Sequence, residues 1–204
     1  MFVETLNPPS KLNSDAEETD QYVLLHNVTW EMLEKLEESL EGTSARLTYI
    51  DGILEIMSPP SEAHEEPKST VSSLLEVYLR ERNVRFYIRG SLKLGKKVDQ
   101  ARGEPDESYS IGSKKAVPDI VLEVVVTSGG INKLALYFRL KVPEVWFWED
   151  GVISVYCLRE NGYEKVTRSE LLCDLDLEML ARYSRMADQY DAIAEFTQAL
   201  RSQL

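Results

Sequence analysis

The chain has 204 residues, 43% of them hydrophobic, which is enough for one domain with a buried core and too little for two ordinary ones or for a disordered chain. No window approaches the length of a membrane span, and the start Met1 to Pro9 lacks a basic stretch followed by an apolar one, so the expectation is a cytoplasmic protein with no membrane partner. A formal net charge of −12 argues against a broadly basic phosphate-binding surface.

Residues 1–21 are polar and acidic without a periodic apolar face, and are expected to form a flexible N-terminal arm. Thr29 is a good N-cap, and Trp30, Leu33, Leu36 and Leu40 recur at helical spacing until Gly42, which predicts a short amphipathic helix. The segments 45–50 and 53–57 flank Asp51-Gly52, the dipeptide that best supplies the two positive φ angles of a type I′ turn, and should pair as a hairpin. Beyond the loop Ser58–Ser61, a second helix is predicted to about Asn83, with Val71, Leu74, Leu75, Tyr78 and Leu79 on one face.

The stretch Arg80 to Lys97 holds Arg80, Arg82, Arg85, Arg89, Lys93, Lys96 and Lys97 against Glu81 alone. It is either a phosphate-facing surface or a solvated strand and loop. Strands are expected near 85–94 and around Asp106. The β-branched run from Asp119 to Val126 reads as a central strand buried on both faces. Its two carboxylates then need partners, above all Glu123, which has apolar neighbours on either side.

Gly129-Gly130 should open a helix bearing Leu134, Leu136, Tyr137 and Leu140, ended by Pro143 and followed by a buried strand, Val145 to Trp148. Strand, helix and strand imply a right-handed parallel crossover. Asp150-Gly151 turns the chain into a further hairpin strand over 152–158. From Asp176 the periodicity predicts one long helix, in which Met179, Met186, Ile193 and Leu200 are seven apart, as are Tyr183, Tyr190 and Thr197. This pattern serves either self-association or packing over the chain's own core. Cys157 and Cys173 lack metal or disulfide spacing and read as reduced, buried thiols. Tyr137, Trp146 and Trp148 fall on periodic apolar faces and are assigned to the core.

Phosphodiester hydrolysis requires a hard divalent cation, and Mg²⁺ takes a pair of carboxylates with water and phosphate at its other positions. Glu104-Pro105-Asp106, the buried Glu123, and Lys133 at the start of the following helix offer that chemistry. Without a metal, Glu123 would be a buried ion-pair partner of Lys133 or an arginine, and Asp106 an ordinary turn residue.

The segments Leu47–Pro59, His64, Glu104–Asp106, Pro118–Val124 and Lys133–Tyr137 leading to Val142–Trp146 resemble, in order, the bacterial Uma-type family of the PD-(D/E)XK nucleases. The resemblance implies an α/β (α+β) fold with a restriction endonuclease-like core over 22–168. That core is a central mixed β-sheet flanked by helices, with a long C-terminal helix over 169–204 as an extension. It further implies a Mg²⁺- or Mn²⁺-dependent endonuclease acting on DNA as a homodimer. Asp106 matches the motif aspartate and Glu123 the second metal-binding carboxylate, and both would bind metal. Val125 stands where an E-x-K motif would place its lysine, and Lys133 resembles that lysine moved to the next helix, where it would orient water or stabilise the transition state. Asp119 occupies the family's other Pro-Asp position, and Asp106 is preferred as first ligand because it lies on a separate strand. His64 matches a family histidine at a helix start that can face the site. Two other functions fit the same residues: a catalytically inactive binding or oligomeric module, and a metal-dependent hydrolase of a small phosphoester.

Overall fold

The computed structural model describes residues 21–126 and 130–203, together with the backbone of Val3–Glu4. The arm predicted over 1–21 therefore falls, apart from Val3–Glu4 and Gln21, outside the described residues. The elements in chain order are β1 (Val3–Glu4), β2 (Tyr22–Leu25), α1 (Trp30–Ser39), β3 (Arg46–Ile50), β4 (Ile53–Met57), α2 (Glu62–Glu81), β5 (Phe86–Ile88), β6 (Ala101–Arg102) and β7 (Glu107–Ile111). They continue with β8 (Ile120–Val125), α3 (Lys133–Leu140), β9 (Glu144–Glu149), β10 (Val152–Arg159), β11 (Gly162–Val166), α4 (Leu177–Ser184) and α5 (Gln189–Arg201).

The strands form two sheets, an antiparallel one and the central mixed one that the sequence predicts. The first is antiparallel, ordered β1-β2-β4-β3-β6, and the second is mixed, ordered β11-β10-β9-β8-β7-β5. In the second sheet β8 and β9 run parallel, the pairing that a crossover through α3 requires, and the other neighbours are antiparallel. Both Asp-Gly turns form as expected, with positive φ at Asp51, Gly52, Asp150 and Gly151. Thr29 caps α1 by accepting from the Met32 amide.

Alternation along β8 divides the core. Ile120 and Leu122 join the larger cluster with Leu74, Leu75 and Tyr78 of α2, Leu180 and Tyr183 of α4, and Phe196 and Leu200 of α5. Val121, on the opposite face, packs with Leu136, Tyr137 and Leu140 of α3. The mixed sheet is thus covered by α2, α4 and α5 on one side and partly by α3 on the other. A third cluster joins α1 to the antiparallel sheet through Trp30, Leu33, Tyr49 and Leu54.

Two expectations need correction. The single long C-terminal helix is broken into α4 and α5, because Asp188 accepts from the Asp191 amide and starts a second helix. Heptad spacing persists across the break because both helices turn apolar faces to the same core, while Tyr190 is exposed. Cys157 is buried but Cys173 is exposed, since Leu172 and Leu175 take the inward positions of that turn. Among the described residues no helix is long and apolar enough to cross a membrane.

Candidate active site

The segment Glu104–Asp106 leaves β6 at the edge of the antiparallel sheet and enters β7 of the mixed sheet, so Asp106 lies between the two. From the other direction β4 leads through Ser58–Ser61 into α2, which puts His64 in the first helical turn, while β8 carries Glu123 and α3 begins at Lys133. All four side chains line one cavity of about 660 Å³. Residues up to 69 positions apart in sequence are thereby gathered at the junction of the sheets.

Asp106 is buried and strongly held. The His64 Nε2–H donates to its Oδ2 at 3.1 Å, the Val124 amide donates to the same oxygen at 2.7 Å, and the Arg46 guanidinium pairs with Oδ1. Burial pushes the Asp106 carboxyl up, but His64, Arg46 and the Val124 amide outweigh it and bring the pKa down to about 2. Asp106 is therefore a carboxylate at any ordinary pH.

Glu123 accepts from the Tyr137 hydroxyl on Oε1 and faces Lys133 Nζ at 3.4 Å from Oε2. Burial raises its pKa, and Asp106 adds to the rise against the opposing pull of Lys133 and Tyr137. Burial lowers the proton affinity of Lys133, yet Glu123, Asp106 and Glu55 together raise it above the ordinary lysine value. Both members of the pair are held toward their protonated forms, as expected in a cavity with surplus negative charge.

A metal would find hard oxygen donors here. Asp106 Oδ1 and both Glu123 oxygens each meet one protein donor, which leaves lone pairs for a cation on two carboxylates facing one cavity. Among the described residues no three His, Cys, Asp or Glu side chains converge on a single point, so these two would hold the ion with water and substrate oxygens.

Asp119, the alternative first ligand, is occupied elsewhere. It accepts from the Ile111 amide at 2.7 Å and pairs with Lys115 at 2.7 Å, closing the loop between β7 and β8, and it does not line the cavity. Nor do the basic residues of 80–97 line it. Lys93 meets Glu37 and Lys97 meets Glu31, both from α1, while Arg80 pairs with Glu76.

Three residues around the site were given no functional role by the sequence. Arg46 precedes the matched segment and meets Asp106 across 60 positions. Tyr137, assigned to the core by its helical spacing, is buried there but turns its hydroxyl to Glu123. Glu55 on β4 is fully buried, and its Oε2 accepts from the Gly130 and Ile131 amides at 2.6 and 3.1 Å, tying the approach to α3 onto the antiparallel sheet. The signal available for Glu55 was its place in the strand Ile53–Met57, where an acid falls among apolar residues.

Among solved structures, one similar chain is described as a putative nuclease belonging to DUF820 from Anabaena variabilis. It is 18% identical, with a TM-score of 0.49, over 83% of this chain and 99% of that one. No curated protein matches the sequence. The family model described as Uma2, putative restriction endonuclease, matches residues 30–184, from the start of α1 to the end of α4 and well over half of the chain. With its motif positions gathered at one cavity, the chain belongs to the Uma2 family.

Proposed function

We propose that the protein is a Mg²⁺- or Mn²⁺-dependent endonuclease that hydrolyses DNA phosphodiester bonds in this cavity. The observation that carries the reading is the convergence of Asp106, Glu123 and Lys133, from a loop, a strand and a helix, on one cavity inside a chain of this family. Asp106 and Glu123 would hold the cation, which when bound polarises the phosphoryl oxygen and lowers the pKa of an attacking water. Lys133, kept as an ammonium by three carboxylates, stabilises the negative charge that develops on the phosphate and orients the water, and is not a general base at neutral pH. His64 and Arg46 fix the Asp106 carboxylate, and Tyr137 fixes that of Glu123.

A second reading draws on the same contacts. Every oxygen of the two carboxylates already faces a protein donor, which suits a module that keeps the fold without catalysis. Plasmid cleavage separates the two. Supercoiled DNA should be nicked with Mg²⁺ or Mn²⁺ and left intact with chelator, and Asp106→Asn, Glu123→Gln and Lys133→Ala should each lower nicking by about 100-fold or more. Absence of nicking by the wild type under any divalent metal would favour the inactive module. A homodimer would bring two equivalent sites to the antiparallel strands of a duplex, and sedimentation of the same samples reads its presence directly.

A further inference from the structure

The cavity does not end at Glu123. In the register of the mixed sheet Glu123 lies beside Phe147, Phe147 beside Ser154, and Tyr156 beside Lys165, so all five residues share one face of β8, β9, β10 and β11. Each of them lines the cavity. With neighbouring strands ~4.8 Å apart, the floor runs about 14 Å from the acidic pair to the last strand.

Its chemistry changes along that path. Phe147 and Tyr156 are half-buried, packed on one side against the α3 cluster, with their rings edge to face at 5.6 Å. Lys165 stands 5.9 Å from the centroid of the Tyr156 ring. Val152, on the same face, is 57% exposed and lies beside exposed Glu149, so this floor presents apolar surface to the cavity with one carboxylate at its edge. Of the three basic residues Arg46, Lys133 and Lys165 that line it, Arg46 is paired with Asp106 and Lys133 with Glu123, whereas Lys165 has no acidic partner among the described residues.

We propose that this floor binds a single-stranded segment of DNA, with bases stacked on Phe147 and Tyr156 and one phosphate on Lys165, leading the strand toward Glu123. The proposal rests on the nuclease reading for its direction but not for the binding itself. A continuous duplex keeps its bases stacked inward, out of reach of an aromatic floor, and is gripped through many phosphates. This chain carries a net charge of −12, and one unpaired cavity lysine suits a single phosphate contact. Stacking on aromatic rings supplies the rest of the affinity with little dependence on sequence.

The test uses the full-length protein without divalent metal, so that nothing is cut, and follows the fluorescence anisotropy of a short dye-labelled oligothymidylate against a duplex of equal length. The single strand should bind more tightly than the duplex. The slope of log affinity against log salt should be about −0.7, the value for one phosphate contact on a single strand. Lys165→Ala, at an exposed position, should bring that slope toward zero, and Phe147→Leu should weaken binding about tenfold at an unchanged melting temperature. Failure of the wild type to bind the single strand, preference for the duplex, or wild-type affinity in both variants would overturn the proposal. Should Phe147→Leu unfold the protein, the salt slope of Lys165→Ala decides alone. A protein that binds the strand in this manner yet, with Mg²⁺ or Mn²⁺ added, cleaves neither plasmid nor the single strand itself would sink the nuclease reading and leave the binding site standing.

Discussion

Two buried glutamates on neighbouring strands of the mixed sheet have opposite surroundings. Glu144 on β9 is saturated: the Trp146 indole and the Ser169 hydroxyl donate to Oε2 at 2.8 and 2.7 Å, and the Glu170 and Leu171 amides donate to Oε1 at 2.7 and 3.0 Å. The Cys157 thiol adds a longer contact to Oε1. Among the described residues Glu123 on β8 meets only Tyr137 and, at 3.4 Å, Lys133, and it opens onto the cavity. A buried carboxylate ringed by backbone and side-chain donors is a structural tie, here fastening residues 169–171 to the sheet. One that keeps lone pairs, faces a cavity and shares it with a second carboxylate has the surroundings the proposed metal site requires.

The largest effect that would sharpen this contrast comes from Glu144→Ala. It leaves an indole, a hydroxyl and two amides buried without an acceptor, and should cost about 4 kcal/mol in urea unfolding. A loss below about 1 kcal/mol would show that water replaces the carboxylate and that the tie is dispensable. Glu123→Gln should do the reverse. Nicking should fall by about 100-fold or more, roughly 3 kcal/mol of transition-state stabilisation, while the melting temperature stays close to that of the wild type.

Acid should act through Asp106 next. Its carboxyl is depressed from 3.8 to about 2 in the folded protein. Its contribution to stability is therefore complete above about pH 4 and is lost as the pH falls toward 2. The metal-free protein should lose about 2 kcal/mol across that window beyond what Asp106→Asn loses over the same range, measured by urea unfolding at each pH. The smallest effect is expected of Tyr137→Phe, which removes one hydrogen bond to Glu123 and keeps the ring. Its cost should be about 1 kcal/mol, seen as a roughly fivefold slower nicking rate. An unchanged rate would assign Tyr137 to the core alone.

Much of this architecture follows from local rules. The Asp-Gly turns, the Thr29 cap and the alternation of β8 each depend on residues a few positions apart, and each forms as the sequence predicts. The departures arise where distant segments meet. The pairing of Arg46 with Asp106 and the reach of Glu55 to Gly130 cross 60 and 75 positions, and neither neighbourhood tells which distant group is the partner. Tyr137 was hidden for another reason: its ring satisfies the apolar period of α3 while its hydroxyl serves the site, so periodicity alone reports only half of the side chain. Within the basic stretch over 80–97, Lys93 and Lys97 meet acids that the local sequence does not show, Glu37 and Glu31 of α1. The C-terminal heptads ran through a helix break because both helices face one core.

The most direct test of the account is calorimetric titration of Mn²⁺ into the metal-free wild type, Glu123→Gln and Glu144→Gln. The wild type should bind the ion, Glu123→Gln should not, and Glu144→Gln, where it remains folded, should bind as the wild type does. No binding by the wild type, or equal binding by Glu123→Gln, would contradict the claim that the cavity carboxylates form a metal site and would leave Glu123 a second structural tie.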